Sequence, residues 1–201
     1  QSPSFIQEAF GGTIKAGQHG LGLQRPALQW YISGKGAIQA SSCLAPHSIT
    51  KQKQLLLAAT WPKETSQRSA CVEELRVLKT HDSAVGEVTS WEYTAGFFDA
   101  EGHVSISPKG ELKLAVTQKF GTVLVGMKDF LDRNGIHMIL RDHESHHRLE
   151  TCRRFNCKQI LRGMLEAGLL CKSEQANMAL ELDSSNATSV RVALDAFVGN
   201  Q

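Results

Sequence analysis

The spacing of apolar positions changes several times along this 201-residue chain, and each change marks an element. Residues 4–10 place Phe5, Ile6, Ala9 and Phe10 at helical spacing and stop at Gly11-Gly12, a helix-terminating pair. Alternation follows. Residues 13–16 and 27–33 read as the strands of a hairpin around a Gly-rich loop, with Leu28, Trp30 and Ile32 on one face and Gln29 and Tyr31 on the other. A weak helical pattern over 36–43 breaks at Pro46, and Ser48 is placed to cap a helix reaching about Ala59. Residues 61–89 read as a connector with a helix near 71–79, where Val72, Leu75 and Leu78 share a face.

The second half of the chain repeats this alternation more clearly. Ser90 caps about three helical turns through Trp91, Tyr93, Phe97 and Phe98, which end at Asp99, Glu101 and Gly102. Strands at 103–107 and 111–118 flank the turn Pro108-Lys109-Gly110. Val104, Ile106, Leu112, Leu114 and Val116 take the core side, which leaves His103, Ser105, Ser107, Lys113 and Thr117 facing outward. A helix over 123–133 ends at Asn134-Gly135, a second hairpin covers 136–143 and 148–154, and helices follow at 157–166 and 172–182. Within the helix after Ser90, Gly96 costs roughly 1 kcal/mol relative to alanine unless something approaches its backbone closely. Ala100 lies one turn further on the same face. Two small residues four apart admit a second helix near backbone contact, and that would bring the acidic end of this helix against the end of its neighbour.

The halves read as copies. An offset of 121 residues carries Lys51 onto Lys172, Leu28 onto Leu149, Gln54 onto Gln175 and Ala58 onto Ala179, and it superposes strand, helix, break and helix. The chain begins with Gln1 rather than Met, and the first half's counterpart of Glu101 would fall about twenty residues before Gln1 by the repeat of internal periods. The expectation is therefore an incomplete first repeat whose acidic helix lies upstream. Extending the chain by roughly thirty residues should supply that helix and monomeric folding.

The segment Thr94 to Gly102, TAGFFDAEG, resembles the signature of the LAGLIDADG homing endonucleases, and departs from it at the first residue, Thr94 for the usual Leu. The resemblance implies an α+β fold of tandem, pseudo-symmetric αββαββα repeats that form a DNA-binding β-saddle, the first repeat lacking its initial helix and hairpin. The divisions it implies are a partial first repeat at 1–60, a linker with a helix at 61–89, a complete second repeat at 90–183 and a tail at 184–201. In that family the last acid of the signature binds Mg²⁺ or another divalent cation beside the scissile phosphates, which falls here on Glu101. A Gln on the second strand and a Lys opening the last core helix stand near the cleavage site, which VTQK and CKSEQA match as Gln118 and Lys172, with Lys51 for the first half. Gly96 and Ala100 become the helix interface.

The activity so implied is site-specific, metal-dependent cutting of double-stranded DNA. The side chains expected to read base edges are His103, Ser105, Ser107, Lys113, Thr117, Arg141, His143, Arg148 and Glu150, with Gln24, Arg25 and Gln29 in the first half. The second acidic helix would come from upstream residues in preference to a homodimer. A former endonuclease kept as an RNA- or DNA-binding scaffold, such as a maturase or ribonucleoprotein component, would need the saddle but not Glu101.

Composition narrows this picture modestly. With 41% hydrophobic and 21% charged residues the chain can bury a real core, and no apolar run is long enough to cross a membrane. The net charge of +2 is weak for gripping nucleic acid, but residues 1–60 hold five basic residues against Glu8 alone. Five cysteines without CxxC spacing fit a reducing compartment, with an organelle or the nucleus as candidates. His137, His143, His146 and His147 cluster on the second hairpin without the spacing of zinc hydrolases, and read as surface or phosphate contacts. Cys152 and Cys157 read as core residues.

Overall fold

The computed structural model describes residues 4–17, 28–86 and 90–199, and the chain divides into two compact units, Gln1–Gly86 and Glu87–Gln201. Gln24 and Arg25 lie outside the described residues.

The first unit opens with α1 (Ser4–Phe10) and the antiparallel hairpin β1 (Thr13–Ala16) and β2 (Leu28–Tyr31), paired from Thr13↔Tyr31 to Ala16↔Leu28. Gly11 and Gly12 turn the chain out of α1 with φ of 73° and 88°, the left-handed region that glycine enters without a Cβ clash. A Cβ on Gly12 would stand 2.4 Å from the Tyr31 carbonyl, so the turn also needs glycine for space. Trp30 leans on Phe10, ring centroids 6.3 Å apart, and donates its indole N–H to the Gly11 carbonyl at 2.8 Å. Next come α2 (Gly34–Leu44), a 3₁₀ turn at Ala45–His47 set by Pro46, α3 (Gln52–Ala59) and α4 (Thr65–Val77). Ser48 does not cap α3 directly; its Oγ accepts the N–H of Lys51, which is itself the capping residue. Gln54 ties α3 to the end of α4 by donating to the Leu78 carbonyl and the Ser83 hydroxyl.

The apolar face expected of β2 is not buried: Leu28 is 52% exposed. A two-stranded ribbon has one helix-covered patch at most, and here Trp30 takes it.

The second unit begins with α5 (Trp91–Glu101), β3 (Gly102–Ile106), β4 (Leu112–Gln118) and α6 (Thr122–Arg133). It continues with β5 (Ile139–Asp142), β6 (His147–Thr151), α7 (Arg154–Glu166), α8 (Ser173–Leu180) and α9 (Ala187–Gly199). Its four strands form one antiparallel sheet in the order β3-β4-β6-β5. Val104, Ile106, Leu112, Leu114, Val116 and Leu149 are buried on one face beneath Leu124, Met127 and Leu131 of α6 and Ile160, Leu161 and Met164 of α7. Ala176 and Ala179 of α8 and Leu194 of α9 complete this core. The element α9 was not anticipated in the C-terminal segment. It starts from a closed turn in which the Asp183 carboxylate accepts the N–H groups of Ser185 and Asn186.

Within each unit the order helix, strand, strand, helix, helix recurs, as α1-β1-β2-α2-α3 and as α6-β5-β6-α7-α8. The helices α3 and α8 are both eight residues long and begin 121 residues apart. Their capping residues Lys51 and Lys172 share one backbone conformation, φ −119°, ψ 10° and φ −109°, ψ 13°. Among the described residues no helix is long and apolar enough to cross a membrane.

Candidate nucleic-acid interface

The site is built on α5, whose sequence dictates both its ends. Ser90 caps it, its hydroxyl accepting the Tyr93 N–H at 3.2 Å. Thr94, which stands where the signature has leucine, is buried and returns its hydroxyl to the Ser90 carbonyl at 3.0 Å, so the departure leaves no unpaired polar group. Thr94, Ala95 and Phe98 point into the core of the unit. Gly102 ends the helix by turning extended, φ −77° and ψ 155°, at a place with room for glycine alone: an added Cβ would lie 2.4 Å from the Phe98 ring and 2.4 Å from the Phe98 carbonyl. Trp91 packs edge-on to Phe130 and against Gly163 of α7, where a Cβ would come within 2.9 Å of the indole. Gly96 and Ala100 fall on the exposed side of α5, beside the stacked rings of Tyr93 and Phe97, and a Cβ at Gly96 meets nothing within 4 Å.

Glu101 ends α5 exposed, and among the described residues its carboxylate takes no hydrogen bond or ion pair. Asp99, two residues earlier, does the opposite. Its carboxylate accepts the N–H groups of Leu170 at 2.8 Å and Lys172 at 3.0 Å, and its backbone carbonyl accepts a short hydrogen bond from Lys172 Nζ. Lys172 thus carries its charge at the C-terminal end of α5, where the helix dipole favours a cation. Gln118 reaches the same end of the sheet: Gly102 pairs with Val116, so Gln118 lies two residues beyond that pair, level with the end of α5. Its Oε1 accepts the Lys119 N–H, which leaves the amide nitrogen to donate outward. Lys172 is thus held at the end of α5 where Glu101 lies, and the register sets Gln118 at the same end of β4. Lys51 is exposed in the first unit.

The sheet face away from the core carries His103, Ser105, Lys113, Thr117, Arg141, Arg148 and Glu150, as the strand register requires. Glu150 is the hub, its side chain 13% exposed. Lys113 Nζ lies 2.7 Å from its Oε2, Arg148 Nε 2.9 Å from the same oxygen, and Arg141 Nε 2.8 Å from Oε1. The Lys113 hydrogen bond, with those of Arg141 and Arg148, holds the Glu150 carboxyl at about 2 against the opposing effect of burial. His103 is pulled below its ordinary value, first by partial withdrawal from water and then by the charges of Arg148, Lys172 and Lys113. The face thus stays cationic, with a neutral imidazole at its edge.

Two expected readers stand elsewhere. Ser107 lies past the end of β3, in the turn, where its hydroxyl accepts the Glu111 N–H. His143 lies past β5, at the hairpin tip, stacked on His146 at 4.6 Å. Gln29 is exposed on β2 and accepts a short hydrogen bond from the Tyr31 hydroxyl. The remaining two histidines of the second hairpin region pair with acids, His137 with Asp132 at 2.8 Å and His147 with Asp142 at 2.7 Å, and no group of three metal-binding side chains is gathered among the described residues. All five cysteines are unpaired. Cys157 is core, its thiol pushed up to about 12 by burial, whereas Cys152 is exposed, contrary to expectation, because it follows β6 into the loop before α7. The Asp99 tether was missed in its detail, since no spacing links residue 99 to residues 170 and 172.

The fold so assembled is that of the LAGLIDADG homing endonucleases. Among solved structures, the chain is similar to the meganuclease I-SmaMI bound to uncleavable DNA, with a TM-score of 0.65 and 12% identity over 98% of this chain and 81% of that one. It is similar also to the LAGLIDADG meganuclease I-AabMI bound to uncleaved DNA, at 0.58 and 14% over 98% and 82%. I-SmaMI bound to uncleaved DNA target in the presence of calcium ions gives 0.61 and 14% over 96% and 82%. No protein-family profile matches the chain, and no curated protein does.

Proposed function

We propose that the protein is a site-specific, Mg²⁺-dependent double-strand DNA endonuclease. The observation that carries this reading is the exposed Glu101 carboxylate at the end of α5, the end at which Lys172 is held through the Asp99 carbonyl, on a unit whose sheet face is cationic. The fold shared with DNA-bound meganucleases supports it.

An exposed carboxylate without a protein partner is a donor that Mg²⁺ accepts together with phosphate oxygens and water, because that ion binds through one or two carboxylates and the substrate. Glu101 would hold it, with a second carboxylate from another helix packed on the open side of α5 at Gly96 and Ala100. Bound there, the ion would polarise a phosphate oxygen and acidify an attacking water. Lys172, steadied by Asp99, sets a fixed positive charge where negative charge develops on the phosphate. Gln118 donates its amide to a phosphate oxygen or orients the water. Lys51 has the equivalent place in the first unit. Strand side chains reach base edges in a major groove, His103, Ser105, Lys113, Thr117, Arg141 and Arg148 among them.

The test is cutting of a randomised plasmid library with Mg²⁺ and with chelator, by wild-type protein and Glu101→Gln. Metal-dependent double-strand breaks that the variant loses, with DNA affinity kept, are the expected result; equal cutting by the variant overturns the assignment. The second reading is a nucleic-acid-binding protein, for DNA or structured RNA, without cutting activity. It is favoured by the Asp99 carboxylate being taken up by the Leu170 and Lys172 N–H groups, which leaves Glu101 as the open acid at the end of α5, and salt-sensitive binding without any cleavage would select it.

A further inference from the structure

Arg141 and Arg148 are direct cross-strand partners on β5 and β6, and like charges directly opposite one another repel. Glu150, two residues along β6, accepts from the Nε of both, one on each carboxylate oxygen, while Lys113 joins from β4. A carboxylate has about four lone-pair sites, so three donors can be accommodated without crowding any of them out. Because each arginine is bound to Glu150 through Nε, its two terminal amino groups are left over from that pairing. That is the end-on pair needed to donate to O6 and N7 of a guanine. An arginine without such an anchor keeps its rotamer freedom and takes phosphates as readily as bases.

We propose that Glu150 is a positioning residue for specificity: it does not contact DNA but aims Arg141 and Arg148 at guanine edges in the major groove, and it lowers the pull of this face on phosphates of any sequence. The inference rests on the DNA-binding reading above. It differs from the sequence-based expectation that Glu150 itself reads a base, since both of its oxygens are engaged by three cations of the face.

Two measurements test it on the full chain. The first needs no DNA. Solvent exchange of the Nε–H groups of Arg141 and Arg148, followed by NMR, should be slow in wild-type protein and fast in Glu150→Gln. The second captures a pool of randomised duplexes at rising salt and sequences what is retained. Glu150→Gln should hold more of the pool, with a salt slope steeper by up to about one unit, yet enrich guanine-containing sites about tenfold less than wild type. Glu150→Asp keeps the charge but not the reach, and should leave the slope at the wild-type value while discrimination still falls. If wild type binds duplexes and Glu150→Gln discriminates as well, the inference alone is overturned. A loss of guanine enrichment together with weaker binding to the whole pool would mean that Glu150 touches DNA itself, and overturns it too. Protected arginines in a wild-type protein with no salt-dependent duplex binding would overturn both this inference and the reading beneath it.

Discussion

Asp99 holds Lys172 at both ends, its carboxylate taking the lysine's backbone N–H and its backbone carbonyl taking Nζ. The signature helix and the start of α8 are thereby fixed to each other at the end of α5 where Glu101 lies. The two acids at the end of α5 divide their work: Asp99 is turned inward to the loop before α8, and Glu101 is left exposed.

Asp99→Ala strips the acceptor from two backbone N–H groups, those of Leu170 and Lys172. The Leu170 bond is exposed and the Lys172 bond part-buried, so losing them costs about 0.5–1.5 kcal/mol, the net worth of an ordinary hydrogen bond, and the variant should melt lower in calorimetry. Cutting should slow as well, since Lys172 loses its fixed position. An unchanged melting temperature would mean that water replaces the tether without loss.

How much of this was legible in the chain depends on how local each signal is. The Ser90 cap and the alternation of β3 and β4 are set by neighbours within a few residues, and the structure has both. The repeat offset was legible because Lys51 and Lys172 each open a helix of the same length. The contact from Asp99 to Lys172 was not, because it joins residues 73 apart with no periodicity between them. The Glu150 hub was hidden for a related reason: a lone acid among bases on a strand reads as another groove contact until the register sets three cations around it. The helix α9 was overlooked although Val190 and Leu194 are four apart, since the polar run Asp183-Ser184-Ser185-Asn186 reads as the end of the fold rather than as a turn that starts a helix.

Cys157 should resist alkylation in the native protein. Burial pushes its thiol up to about 12, so almost no thiolate is present at neutral or mildly alkaline pH. Exposed Cys43, Cys152 and Cys171 should label at about pH 8, and Cys157 only after denaturation, as read by mass spectrometry of peptides. Native labelling of Cys157 would mean that the core beneath β4 and α7 opens.

Two glycines of the signature, one within α5 and one just past its end, should respond in opposite directions. A methyl at Gly96 meets no atom within 4 Å and replaces a poor helix former, so Gly96→Ala should raise stability by up to about 1 kcal/mol. If a second acidic helix packs there, the same variant should weaken that assembly. A methyl at Gly102 collides with the Phe98 ring and carbonyl, so Gly102→Ala should destabilise by about 1–3 kcal/mol. Chemical denaturation of both would check this, and equal effects would contradict the geometry.

Acid should loosen the sheet face through Glu150. The carboxyl is held at about 2 in the folded chain, against an ordinary value of 4.5, by Lys113 first and then Arg141 and Arg148. A depressed folded value means that the unfolded chain takes up the proton first as pH falls. The group's contribution is therefore complete above about pH 4.5, declines through the interval below it, and is gone once the pH has dropped through the folded value near 2. The three cations keep their charge throughout, so the loss within this ion-paired cluster belongs to Glu150. Its size is on the order of 1–3 kcal/mol, the lower figure allowing for solvent screening of the arginine and lysine partners. Urea unfolding of wild-type protein and Glu150→Gln at steps between about pH 5 and pH 2 isolates the term, because other carboxylates titrate equally in both. The stability gap between the two proteins should be widest at the upper end and shrink toward acid. A gap that stays constant over that interval would mean that the carboxylate is not held by its three neighbours in solution.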